Sequence, residues 1–145
     1  MFNTPSKTAA VALVLAALSA CATPPANLDL ALEKQSVSGR YVVSLVPPLA
    51  APAINQMHSW TVKLEDTTGI PVTGATISVG GGMPQHGHGL PTKPRVTREV
   101  ESGTYLVEGM KFSMPGWWNI NFDIQSPRGT DKVTFNTVVA PTARR

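Results

Sequence analysis

The sequence predicts an all-β fold, an antiparallel β-sandwich of about seven strands. Three observations carry this expectation. Seven short segments between residues 40 and 137 are apolar or alternate apolar with polar residues. Clusters of Gly, Pro, Asp and Ser separate most of them. No helical periodicity intervenes, and consecutive strands without helices pack sheet on sheet.

The elements follow in order. Residues 40–46 are β-branched and apolar, and Pro47, Pro48 and Pro52 end that run. From Met57 to Glu65 the chain alternates, with His58, Trp60, Val62 and Leu64 on one face and Met57, Ser59, Thr61 and Lys63 on the other. Asp66-Thr67-Thr68-Gly69 is a turn. Ala75, Ile77 and Val79 are in phase as the next strand, and the Gly, Pro and His stretch after them reads as a loop to about Pro94. Residues 95–100 and 104–110 are two strands joined by Glu101-Ser102-Gly103. Trp118, Ile120, Phe122 and Ile124 alternate cleanly with polar residues. Ser126-Pro127-Arg128-Gly129 turns that strand into the last one, marked by Val133, Phe135 and Thr137.

Glu101-Ser102-Gly103-Thr104-Tyr105 resembles the tyrosine corner of immunoglobulin-type domains, in which the tyrosine hydroxyl bonds back to backbone across the turn. The expected sandwich is therefore immunoglobulin-like, with Tyr105, Trp60 and Trp118 as structural residues. Val107 stands where an antibody domain carries its second cysteine, so no inter-sheet disulfide is expected.

The first 20 residues read as an address. Lys7 supplies a positive charge, and Thr8 to Leu18 is apolar but too short to span a membrane. The stretch ends in Leu18-Ser19-Ala20-Cys21, which resembles the lipobox of bacterial lipoproteins, and Cys21 is the only cysteine. The resemblance implies removal of residues 1–20 and acylation of Cys21 by palmitate-type chains, two or more of which anchor stably. Ala22, rather than an aspartate, implies the outer membrane, with the domain facing the periplasm. Residues 21–37 are then a lipidated tether with room for one or two helical turns, 38–140 the sandwich, and 141–145 a tail.

The charge of +3 includes Lys7, so residues 21–145 carry +2, and Arg144 and Arg145 lie in the tail. A body so close to neutral gives no case for nucleic acid. With Cys21 acylated, the mature chain has no thiol, and any soft ligand must be methionine.

The histidines and methionines carry the chemistry. Met83-Pro84-Gln85-His86-Gly87-His88-Gly89-Leu90-Pro91 holds two of the three histidines. The third, His58, follows Met57, and Met110 and Met114 flank Phe112. If successive strands run up and down, all of these fall at one end of the sandwich. Imidazole with thioether suits copper, Cu(I) first and Cu(II) also, more than zinc. The candidate metal residues are His58, Met83, His86, His88, Met110 and Met114. Each has an ordinary alternative. Met110 and Met114 also suit the core end. His58 also suits a buried, hydrogen-bonded position. His86 and His88, two apart, point to opposite sides of an extended chain unless Gly87 turns it.

Met83 to Thr92, Gly103-Thr104-Tyr105, and Glu108 to Trp118 together resemble the YtkA-like family, which is related to FixH-like proteins. The resemblance covers about residues 37–140. It implies a small extracytoplasmic immunoglobulin-like sandwich. FixH-like relatives are linked to assembly of copper-containing respiratory oxidases and carry a membrane helix, which a lipid on Cys21 would replace here.

Two functions compete. The first is a copper-binding envelope lipoprotein, a chaperone or scavenger exchanging copper with another envelope protein. The second is a partner-binding module without metal, using Trp117-Trp118 as an aromatic anchor. Catalysis is not expected. Glu99, Glu101 and Glu108 lie at or toward the end away from the histidines, and no nucleophile, base and orienting acid suggest themselves.

Overall fold

Two antiparallel sheets face each other across one apolar core in a computed structural model that describes residues 23–141. The expected signal peptide, the lipidation at Cys21 and residues 142–145 of the tail lie outside the described residues. The strands are β1 (Glu33–Gln35), β2 (Tyr41–Val46), β3 (His58–Asp66), β4 (Thr76–Met83), β5 (His88–Gly89), β6 (Arg95–Glu101), β7 (Thr104–Met110), β8 (Gly116–Ser126) and β9 (Gly129–Val139). One sheet has the order β1-β2-β3-β7-β6, the other β5-β4-β8-β9. The architecture is the expected immunoglobulin-like sandwich, without helix among the described residues.

Period-two alternation builds the core. Val43 and Leu45 of β2, Trp60, Val62 and Leu64 of β3, and Tyr105 and Val107 of β7 point inward from one sheet. Trp118, Ile120, Phe122 and Ile124 of β8 and Val133 and Phe135 of β9 meet them from the other. Burying such side chains stabilises a domain by roughly 1.5 to 3 kcal/mol each before chain entropy is counted.

Nine strands stand where about seven were expected. β1 lies in the stretch read as tether, which forms no helical turn. Leu28 N donates to Pro25 O in a single turn (3.2 Å), and residues 33–35 then pair with residues 42–44. The pairing occupies one edge of β2, whose backbone groups would otherwise be open. The sandwich thus begins at Glu33 rather than near residue 38. Residues 29–37 form a strap along β9: Asn136 Nδ2 donates to Asp29 O (2.9 Å), and Val37 N donates to Lys132 O (2.9 Å).

The stretch after Val79, expected as a loop, is β strand through Gly80, Gly81 and Gly82 to Met83. Here the glycines allow close approach, not flexibility. A Cβ on Gly81 would lie 2.2 Å from Asn119 O, and one on Gly82 would lie 2.3 Å from His88 O. The true turn is Pro84 to Gly87, and His88-Gly89 returns as β5.

Tyr105 departs from the expected corner. Its hydroxyl donates to Val72 O (2.6 Å) and accepts from Ala75 N (3.0 Å). Both lie in the connection between β3 and β4, not across the Ser102 turn. The bond therefore ties the crossover between the sheets to β7.

Candidate metal centre

All the candidate donors converge on one end of the sandwich. β3 begins there at His58 and β7 ends there at Met110, directly opposite it in the ladder. β4 ends there at Met83 and β5 begins there at His88, again directly opposite. Each sheet thus contributes one cross-strand histidine–methionine pair, and residues directly opposite project to the same face. Phe112 and Trp118 fill the space between: ring centroids run His58–Phe112 5.1 Å, Phe112–Trp118 5.2 Å and Trp118–His88 5.6 Å.

Strand alternation alone would not bring Met110 inward. With Tyr105 and Val107 inside, Gly109 is next in phase and Met110 would face out. A bulge shifts the register between His58 and Trp60, and Gly109 adopts φ 83° there. The extra residue turns Met110 into the core, where it is 1% exposed. A glycine inside a strand pattern is the sequence signal for this.

His58 does not offer a lone pair. The Trp60 indole nitrogen donates to His58 Nδ1 (2.8 Å), which must accept. The neutral ring then carries its proton on Nε2, and Nε2 is buried with no hydrogen-bond partner. Burial also pushes the His58 pKa below its ordinary 6.5, so the ring stays neutral. Ligation through Nε2 would require an imidazolate. In the expected rigid half of a site, His58 with Met110 or Met114, the imidazole is therefore taken up by Trp60. Met114 is partly buried against the core, and its carbonyl accepts from the Trp118 indole (3.1 Å).

The hairpin histidines are arranged differently. Both are exposed. Gly87 takes φ 66°, and the turn it completes brings the His86 and His88 rings to 6.0 Å between centroids, 34° from parallel. Met83 O accepts from His86 N (3.1 Å) and Gly87 N (3.0 Å), which closes the turn. His88 Nδ1 lies 3.1 Å from Gly89 O, and a carbonyl only accepts, so Nδ1 donates and Nε2 keeps its lone pair. That is the tautomer in which metal-binding histidines are commonly held. Met83, 2% exposed, packs in the hydrophobic core beneath the hairpin, its Cε 2.9 Å from where a Gly116 Cβ would be. Met83, His88 and Asn119 line an open depression of about 340 Å³.

Among the described residues, no three His, Cys, Asp or Glu side chains form a ligand group. Beside the paired histidines the soft donor at hand is the Met83 thioether, directly opposite His88. Another depression, about 470 Å³, is lined by Thr76, Ser78, Asp123, Asp131 and Lys132 and holds none of the candidate donors.

The two tryptophans expected as an aromatic anchor are placed differently. Trp118 is fully buried, and the partly buried Trp117 donates its indole N–H to Asn136 Oδ1 (2.9 Å). Alternation on β8 makes one of two adjacent tryptophans a core residue.

The YtkA-like family profile matches residues 35–123. No curated protein matches the chain. Among solved structures, the Lin-41 filamin domain is similar at 18% identity with a TM-score of 0.42, over 65% of this chain and 89% of that one. The ZirS C-terminal domain is similar at 14% identity with a TM-score of 0.41, over 94% of this chain and 83% of that one.

Proposed function

The chain belongs to the YtkA-like family, and within that frame we propose that it is a lipid-anchored envelope protein that binds copper on the β4–β5 hairpin and hands it on. The observation that carries this reading is the hairpin itself. His86 and His88 stand ring to ring, His88 has Nε2 free, and Met83 lies directly opposite His88. Two imidazoles and a thioether suit Cu(I), and the imidazoles hold Cu(II) as well. Two exposed imidazoles and an uncharged donor set favour exchange over permanent storage. The role is that of a carrier or scavenger, not a catalyst. Cys21, acylated, would keep it at the membrane, facing the periplasm from the outer membrane.

The test is a copper titration with X-ray absorption on the purified protein. One Cu(I) with nitrogen and sulfur neighbours is expected, lost when His86 and His88 are both alanine. Unchanged affinity and spectrum in that double variant would remove the hairpin from the site. Anchoring is tested separately: Cys21→Ser should abolish labelling by a fatty-acid analogue.

A further inference from the structure

The histidine–methionine end of the sandwich also carries the exit of the chain toward Cys21. Gln85, at the tip of the β4–β5 turn, donates from Nε2 to Thr23 O (2.8 Å). Thr23 is two residues from Cys21, a reach of at most about 7 Å. An acyl group on Cys21 would therefore hold this end, rather than the Ser102 end, next to the bilayer.

A second, independent feature lies at the same end. The connection from β2 to β3, residues 47–57, contains no charged residue. It reads Pro-Pro-Leu-Ala-Ala-Pro-Ala-Ile-Asn-Gln-Met, with Leu49 fully exposed and Met57 63% exposed. Ile54 packs on the core, and Asn55 N donates to Phe112 O (2.8 Å), so the loop is held from one side while Leu49 projects from the other. Lys93 lies beside it, its carbonyl and Met57 Cε both within 4 Å of where a Gly109 Cβ would be. Lys111 follows Met110 on the same end, and neither lysine forms an ion pair among the described residues. Glu108 on β7, expected toward the other end, lies here two residues before Met110 and accepts from Thr97 Oγ1 (2.6 Å) without pairing either lysine. An exposed apolar loop beside free cations matches the boundary of an anionic bilayer, where the apolar part enters and the cations meet headgroups.

We propose that this end is the membrane-facing end, resting on an anionic lipid surface through the Leu49 loop, Lys93 and Lys111. The inference rests on the acylation of Cys21 proposed above. It deepens the copper reading, because the hairpin would open toward the bilayer plane. Its exchange partner would then be a protein embedded in that membrane rather than one diffusing in the periplasm.

The test uses acylated full-length protein in vesicles of phosphatidylethanolamine and phosphatidylglycerol. Leu49→Cys and, separately, Ser102→Cys supply a free thiol at opposite ends for an environment-sensitive fluorophore. Flotation reads the anchor, and an aqueous quencher reads the orientation. The expected result is flotation of both, with quenching at position 49 several-fold weaker than at position 102. Lys93→Glu with Lys111→Glu should raise quenching at position 49 without changing flotation. Failure to float overturns the anchor and this inference together. Flotation with equal quenching at both positions overturns the orientation alone and leaves the anchor and the copper site standing.

Discussion

Trp60 gives its indole hydrogen to His58 Nδ1 at 2.8 Å, and that bond separates the histidines at this end of the domain into two kinds. His58 is left with a proton on the nitrogen that faces the core. His88, exposed and with Nδ1 donating to Gly89 O, is left with a lone pair on Nε2. The same side chain is a structural group in one sheet and a poised donor in the other.

The first prediction concerns acid. Burial lowers the His58 pKa below 6.5, so the unfolded chain binds the proton more readily. Stability should be fully present above about pH 6.5 and fall as pH drops from there through the folded-state pKa. His58→Gln removes the titration and keeps an acceptor for Trp60. Urea midpoints of the metal-free protein from about pH 7.5 to about pH 5.5 should decline more steeply in the wild type than in that variant. Equal slopes would sink the assignment.

The second concerns the donors. Met83→Leu keeps roughly the same volume and should cost under about 1.5 kcal/mol of stability. It should nevertheless weaken Cu(I), on the order of tenfold to a hundredfold, judged from the cost of losing even an outer partner of a metal site. Met110→Leu should leave copper affinity unchanged, because that sulfur stands opposite a histidine with no lone pair to give. Gly87→Val, at φ 66°, should weaken copper with every donor intact. Isothermal titration under anaerobic conditions separates the three.

The third concerns the bulge. Gly109 sits at φ 83°, and beyond its chain neighbours no atom comes nearer than 3.5 Å to where an alanine Cβ would stand. Gly109→Ala therefore meets conformational strain and not a clash. It should cost about 1 to 3 kcal/mol in denaturant unfolding. If the chain relieves the strain by removing the bulge, Met110 turns outward and its methyl resonance moves to a solvent-exposed shift. An unchanged midpoint and spectrum would show that the bulge does not depend on glycine.

The fourth concerns the crossover. Tyr105→Phe leaves the ring and strands Val72 O and Ala75 N. The expected loss is on the order of 1 to 3 kcal/mol, as for buried groups left unpaired. Faster hydrogen exchange at Ala75, but not across the Ser102 turn, would place the effect where the hydroxyl bonds.

Most of the fold was legible because burial follows period two. Val62 and Leu64, or Ile120 and Phe122, show their faces in the sequence. The convergence of His58, Met83, His86, His88 and Met110 followed from counting strand directions. What stayed hidden were relations between chain-distant atoms. Alternation read through Gly109 gives the wrong face for Met110. Nothing local marks Gly81 as the place where Asn119 O comes within 2.2 Å of a would-be Cβ. Nor does the spacing of His58 and Trp60 reveal which ring nitrogen is occupied. The short β1 and β5 were missed because a strand of two or three residues has no period to detect.

The strap of residues 29–37 bears on how copies of the protein behave in a crowd. β9 is an eleven-residue outer strand, long enough to template pairing with another chain. β6, the outer strand of the other sheet, deters such pairing with Arg95, Arg98, Glu99 and Glu101. β9 relies on the strap instead, which takes up Lys132 O and Asn136 and lays Lys34 over the Phe135 ring at 5.7 Å. The segment that leads toward the anchor therefore doubles as a guard against self-association, and a chain trimmed before residue 38 would leave that edge open to edge-to-edge pairing.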